Sequence, residues 1–222
     1  MTETTDDTQQ ERALIGRWRS TLLRALDTDG CLIDPDRYGR ALLTRWREPQ
    51  RRYHTTAHLT AVLDHIDVLT EHAADPALVE LAAWFHDAVY LPDRSTNEER
   101  SARLAERALT EAGLAPGQVT EVARLVRLTV THDPADGDTN GEALCDADLA
   151  VLASPPEAYA AYTRAVRKEY AFVPDEAFRT GRADVLRQLL DLPRLFRTPH
   201  GAKNWEAAAR ENLATELELL AA

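Results

Sequence analysis

Cysteine and lysine are nearly missing from this chain. There are two cysteines, Cys31 and Cys145, and two lysines, Lys168 and Lys203. Two cysteines exclude a disulfide framework and a cysteine-rich zinc site. Scarce lysine leaves arginine to carry the positive charge, 26 − 2 = 24 residues, a whole-chain skew that reads as coding bias. No apolar run approaches the roughly 20 residues of a membrane span, and no charged-then-apolar leader opens the sequence. Positive charge is also in deficit: a net charge of −11 argues against non-specific binding of nucleic acid or anionic lipid. What remains is a core-forming composition, 44% hydrophobic and 28% charged over 222 residues, as expected of an acidic cytoplasmic protein.

Alternation with period two is almost absent, whereas helical spacing is present nearly throughout. Residues 1–10 are polar without apolar periodicity and read as a flexible N-terminal tail. From Glu11 the pattern is helical: Leu14, Trp18, Leu22 and Leu26 recur every four residues, and Leu42, Leu43 and Trp46 mark a second helix. A third spans about Thr56 to His72, a fourth opens at Pro76, and Thr96 with Glu99 reads as a capping box before a fifth that Gly113 closes. Further helices are expected around Val119–Thr129, Tyr159–Val166, Val185–Leu189 and Trp205–Leu220, with longer loops near 91–96 and 133–142. No linker or repeat divides residues 11–222. The expected fold is a single all-α domain.

The histidines are grouped. His54 and His58 stand four apart, which on one helix would place them on one face. His86 and Asp87 follow inside the apolar run Leu81-Ala82-Ala83-Trp84-Phe85-His86-Asp87-Ala88-Val89-Tyr90. A carboxylate in such a run must be paired or bound to a cation. Asp146-Ala147-Asp148 then sits between Leu144 and Leu152. Imidazoles mixed with carboxylates suit a divalent transition metal such as Zn, Mn, Fe, Co or Ni, whereas an all-oxygen site would suit Mg or Ca.

The order His58 … His86-Asp87 … Asp148 resembles the HD superfamily of metal-dependent phosphohydrolases. It is most similar to a bacterial group that begins with a Tyr-His-x-x-x-His element, here Tyr53-His54-Thr55-Thr56-Ala57-His58. Further matching pieces are Trp84-Phe85-His86-Asp87, Asn97-Glu98, Ala147-Asp148-Leu149, Tyr159-x-x-Tyr162, Val166-Arg167-x-Glu169-Tyr170 and Gly181-Arg182. The resemblance covers about residues 11–220. It implies an HD-type helical bundle with His58, His86, Asp87 and Asp148 as metal ligands, and His54 as the proton donor to the leaving oxygen. It also implies hydrolysis of a phosphate ester or phosphoanhydride of a small, nucleotide-like substrate by attack of metal-bound hydroxide. Asp87 could bridge to a second ion, Mg or Mn.

Around these residues, Asp146 is expected to support the ligands from outside, and His132 to contact phosphate or a second metal. Arg52, Arg167, Lys168 and Arg182 are candidate phosphate contacts; Arg167 has a competing role in surface ion pairs. Tyr159, Tyr162 and Tyr170 share a helical face and could stack on a base or simply pack. His65, His72 and His200 read as structural or solvent-facing. Two other functions remain open: a nucleotide sensor without turnover, and an HD-type diiron oxygenase. The latter is weakened because His132 is the only histidine between Asp87 and Asp148. Oligomeric state is not encoded in any of these features.

Overall fold

The computed structural model describes residues 3–26 and 34–221, with side chains from Thr8 onward. Among these residues there are eleven α-helices, one 3-10 turn and no strand. The helices are α1 Glu3–Leu26, α2 Pro35–Trp46, α3 Thr56–Leu69, α4 Pro76–Phe85, α5 Asn97–Glu111 and α6 Pro116–Leu128. They continue with α7 Thr139–Leu149, the 3-10 turn Ala150–Ala153, α8 Pro156–Glu169, α9 Asp175–Asp191, α10 Pro199–Asn204 and α11 Glu206–Ala221. The fold is all-α. No described helix is long and apolar enough to cross a membrane.

Local chemistry sets most helix starts. Asp34, Thr55, Asp75 and Asp138 accept hydrogen bonds from first-turn amides of α2, α3, α4 and α7, and proline opens α2 and α4 with its backbone already helical. The expected capping box at α5 is not formed: Thr96 makes no side-chain cap bond, and Glu99 pairs with Arg103 and Arg127. Asn97 fastens that entry instead, accepting from the Leu91 amide and donating to the Leu91 and Arg94 carbonyls. Gly113, at φ +91°, supplies the left-handed turn that ends α5. Helix α1 takes in the polar segment that composition separates as a tail, but its described buried positions begin only at Leu14.

The larger core runs through α1–α7 and includes Trp18, Trp46, Trp84 and Phe85, all fully enclosed. A smaller core joins the 3-10 turn, α8, α9 and α11 through Leu152, Tyr159, Leu186, Phe196 and Leu213. Trp205 packs on both. Helix α7 carries the larger core toward the smaller one. It is enclosed from Gly141 to Ala147, which explains why its sequence shows no stripe. It also takes in the last four residues of what reads as a long loop at 133–142. Gly141 is required there, since a Cβ would lie 2.3 Å from Asp138 Oδ2 and 2.7 Å from Leu128.

Candidate metal centre

Three helices bring the grouped residues together. His58 comes from the first turn of α3, His86 and Asp87 from the end of α4, and Asp148 from the end of α7. One atom each of His58, His86 and Asp148 lies within 4.8 Å of the others, so the three could hold a metal ion. His58 Nε2 is 3.4 Å from His86 Nε2 and 3.1 Å from Asp148 Oδ1, and His86 Nε2 is 3.6 Å from that oxygen. Asp87 joins from the side, its Oδ2 3.2 Å from His86 Nε2 and 3.9 Å from His58 Nε2. A four-coordinate ion with bonds near 2.1 Å spaces neighbouring ligand atoms by about 3.4 Å. The observed separations bracket that value, so the donor set is spaced to hold a metal ion.

The surroundings fix these donors. His86 Nδ1 faces the Ala83 carbonyl at 2.8 Å, which puts the proton on that nitrogen and leaves the Nε2 lone pair turned to the cluster. Trp46, whose indole N–H donates to the Trp84 carbonyl, packs its ring 5.5 Å from the His86 ring. Burial disfavours the charged imidazole of His86, but Asp87 and Asp148 outweigh it and raise its pKa well above the usual value. Burial acts the other way on the carboxylates, yet the neighbouring histidines hold both Asp87 and Asp148 below their ordinary range. His58 is lowered, chiefly by burial. The site is a concentration of opposite charges removed from water, the condition under which a bound cation replaces protons.

His54 precedes α3 instead of lying on it, so it does not share a helical face with His58. Its ring centroid nevertheless stands 5.6 Å from that of His58, because the turn at Tyr53 folds it back. Its Nδ1 is 2.7 Å from Glu169 Oε2, and its Nε2 is 3.8 Å from Asp87 Oδ2. The Glu169 side chain is fully enclosed. Its Oε1 also accepts from the backbone amides of Arg52, Tyr53 and His54, and the Tyr90 hydroxyl donates to Oε2. Burial opposes a charged His54, but Asp87, Glu169 and Asp148 together raise its pKa. Glu169 is held near 2 against its burial, first by the bond to His54. The carboxylate therefore fixes which nitrogen of His54 faces the cluster.

Arg51 works beside it. Its enclosed guanidinium donates to the His54 carbonyl at 2.9 Å and the Asp87 carbonyl at 2.8 Å, lying between the rings of Trp46 and Tyr90. It ties the His54 turn to the end of α4. Its neighbour Arg52, the residue expected to contact phosphate, has an exposed side chain that donates to the Pro49 and Arg51 carbonyls at the rim of the cavity beside His58. For Glu169 a signal existed: Tyr159, Tyr162, Val166 and Glu169 recur at three- and four-residue spacing, so an acid continues the apolar stripe of α8. For Arg51 there was none.

The remaining expectations fall differently. Asp146 is wholly enclosed, but its oxygens accept from the amides of Arg197 and Thr198, both at 2.8 Å. It anchors the segment before α10 and touches no cluster residue in these bonds. On α7 two residues of separation turn side chains about 200° apart, so Asp148 faces the histidines and Asp146 faces away. Arg167 is taken up by the Tyr170 and Val173 carbonyls and Asp175. Arg182 is held by both oxygens of Glu216 and donates to the Tyr162 hydroxyl. Neither arginine is left to receive a phosphate. His132 Nε2 lies 2.8 Å from Asp148 Oδ2. Its backbone is left-handed at φ +50°, a conformation that costs a non-glycine residue about 1 kcal/mol or more.

His72 pairs with Glu142 at 2.6 Å, and His65 and His200 pack against Trp205. Tyr159 donates to Glu216 in the smaller core. Cys145 is buried and free, and Cys31 lies outside the described residues. In comparisons with known proteins, the chain matches no family model, no curated protein and no solved structure.

Proposed function

We propose that the chain is a metal-dependent phosphohydrolase of the kind its His58 … His86-Asp87 … Asp148 order resembles, cleaving a phosphate ester or phosphoanhydride of a small substrate. One observation carries this reading: beside a donor set suited to a divalent ion stands a fifth residue, His54, which is backed by a buried carboxylate and turns its other nitrogen toward the cluster. A purely structural metal site has no use for such a residue.

His58, His86, Asp87 and Asp148 would hold the ion. When bound, a divalent ion polarises phosphoryl oxygens and makes hydroxide accessible at neutral pH. His54, with Nδ1 engaged by Glu169, keeps Nε2 for the proton that the leaving oxygen needs, and its raised pKa keeps that proton available near neutrality. Arg51 holds the His54 turn and the Asp87 backbone at a fixed separation, so donor and ligands move as one body. Arg52 is the cation at the rim of the cavity beside His58 and Asp148, placed to meet the anionic substrate. His132 steadies Asp148 through its second oxygen.

The test is a phosphate-release assay of the purified chain loaded separately with zinc, manganese, iron, cobalt and nickel. Turnover with at least one ion, lost in His86→Ala and Asp148→Asn together with bound metal, supports the reading. Metal binding without release from phosphomonoesters, phosphodiesters and phosphoanhydrides would leave a binding protein and contradict it.

A further inference from the structure

Two cavities adjoin the cluster, and their walls differ in kind. The first, about 440 Å³, contains His58, Asp148 and the Arg52 rim, with small side chains such as Ala57, Ala61 and Ala161. The second, about 470 Å³, lies between α8 and α9 and contains His54 with Tyr53, Tyr162, Tyr170, Phe178 and Val185. Tyr53 and Tyr162 line both, with ring centroids 4.7 Å apart. They form a partition with the metal ligands on one side and the proton donor reaching the other.

The polar groups of the second cavity are three tyrosine hydroxyls, His54 and Arg182, set among apolar side chains. Among the described residues lining it there is no Asn, Gln, Ser, Thr, Asp or Glu, and its cation is Arg182. That guanidinium is neutralised by two bonds to Glu216 and lies over the Tyr162 ring. A pyrophosphate leaving group placed here would be a desolvated multiple anion facing little beyond the single His54 proton, and sugar hydroxyls would exchange water for tyrosine hydroxyls alone. Aromatic rings suffer neither loss and gain ring contacts. In-line displacement puts the leaving oxygen opposite the attacking one, hence on the His54 side and at the mouth of this cavity.

We propose that the second cavity is the leaving-group site and that it takes an aromatic alcohol, which makes the substrate an aryl or arylmethyl phosphomonoester. This rests on the phosphohydrolase reading and narrows it, setting polyphosphates and nucleotides aside. In the reaction the P–O bond to the aromatic alcohol breaks, water supplies the new P–O bond, the proton from His54 Nε2 ends on the alcohol oxygen, and the proton released by the water restores His54 through solvent. The products are inorganic phosphate and the free alcohol.

The test is calorimetric binding to the full chain loaded with manganese, using non-hydrolysable probes: 1-naphthylmethylphosphonate, methylphosphonate and methylenediphosphonate. Adenosine monophosphate and the neutral 1-naphthylmethanol complete the set. The same titrations are run on Val185→Glu, a position that lines the cavity yet is 46% exposed, so the charge can be carried without unfolding α9. The expected result is naphthylmethylphosphonate binding at least ~10-fold tighter than methylphosphonate, with Val185→Glu erasing that advantage and leaving methylphosphonate unchanged. Methylenediphosphonate or adenosine monophosphate binding as tightly as the naphthyl probe overturns the proposal, as does an advantage that Val185→Glu does not touch. Naphthylmethanol separates the two levels. If it binds in a Val185-dependent way while no phosphonate gains from the metal, the aromatic site stands and the phosphohydrolase reading falls. If it does not bind and the naphthyl group adds nothing, the aromatic site falls while phosphate release can still stand.

Discussion

The candidate metal ligands and the cavity walls come from two unlike regions. The α1–α7 region is a thick core in which three tryptophans and Phe85 are enclosed behind His58 and His86. The region from the 3-10 turn to α11 is thinner, is built around Leu186, Phe196 and Leu213, and leaves Phe172 and Val185 partly in solvent. Each region treats charge differently. In the first, Asp87, Asp148, His58 and His86 face one another across a space that a cation would fill. In the second, Arg167 and Arg182 are already matched by carbonyls and carboxylates. Charge left unmatched is thus concentrated in the more deeply buried region, and the other supplies shape, with one exception: Glu169 reaches across to His54.

The strongest way to break this division is to exchange effects between the regions. Asp148→Asn should lower metal affinity by more than ~100-fold, since an amide oxygen replaces an anionic ligand among buried histidines. Asp146→Asn, on the other face of α7, should leave metal binding intact and cost about 1–3 kcal/mol of stability by disturbing the Arg197 and Thr198 amides. Metal titration with thermal unfolding on both variants checks the contrast.

The next largest effect concerns the exception. Glu169→Gln keeps an oxygen for the backbone amides of residues 52–54 but removes the charge beside His54 Nδ1. Turnover should fall within the ~10²–10⁴-fold range of general-acid loss, with metal content unchanged. The sign of the pH effect follows from the raised pKa of His54: activity requires its proton and declines as pH rises through that pKa. Removing the carboxylate lowers the pKa, so the alkaline limb of the kcat/KM profile should move to lower pH. An unmoved limb would reduce Glu169 to a fold residue.

Metal affinity should itself depend on pH. His86 is raised well above the usual imidazole value, so a proton competes for its Nε2, and affinity should increase with pH by up to about tenfold per unit until that proton is gone. Competition titrations with a chelator at several pH values report the slope. The smallest expected effect is at His132. His132→Gly should be more stable than His132→Ala by about 1 kcal/mol, because only glycine accepts φ +50° without strain. Both should loosen Asp148 equally, and chemical denaturation of the pair isolates the backbone component.

Much of the first region is legible in sequence, because its helices are amphipathic and its ligands interrupt apolar runs: His86-Asp87 inside residues 81–90 cannot be read as surface. Helix α7 escapes for the opposite reason, since it is buried on all sides and has no polar face to create a period. The separation of Asp148 from Asp146 needs the helix itself, which turns the two apart. Arg51 and Arg52 are indistinguishable as neighbours, and only packing between Trp46 and Tyr90 selects the first. The arginines of α8 and α9 read as phosphate contacts because sequence does not reveal that Glu216, 34 residues from Arg182, is its partner in space, or that Asp175 and two carbonyls take up Arg167.

The central claim is that His58, His86, Asp87 and Asp148 hold a metal ion while His54 stands beside it as proton donor. Elemental analysis of the purified wild-type chain, His58→Ala and His54→Ala tests it most directly, because these two histidines are four residues apart and have different predicted roles. The account predicts at least one tightly held transition metal per chain in the wild type and in His54→Ala, and none in His58→Ala. A folded, active wild-type chain without metal, or loss of metal in His54→Ala, would contradict it.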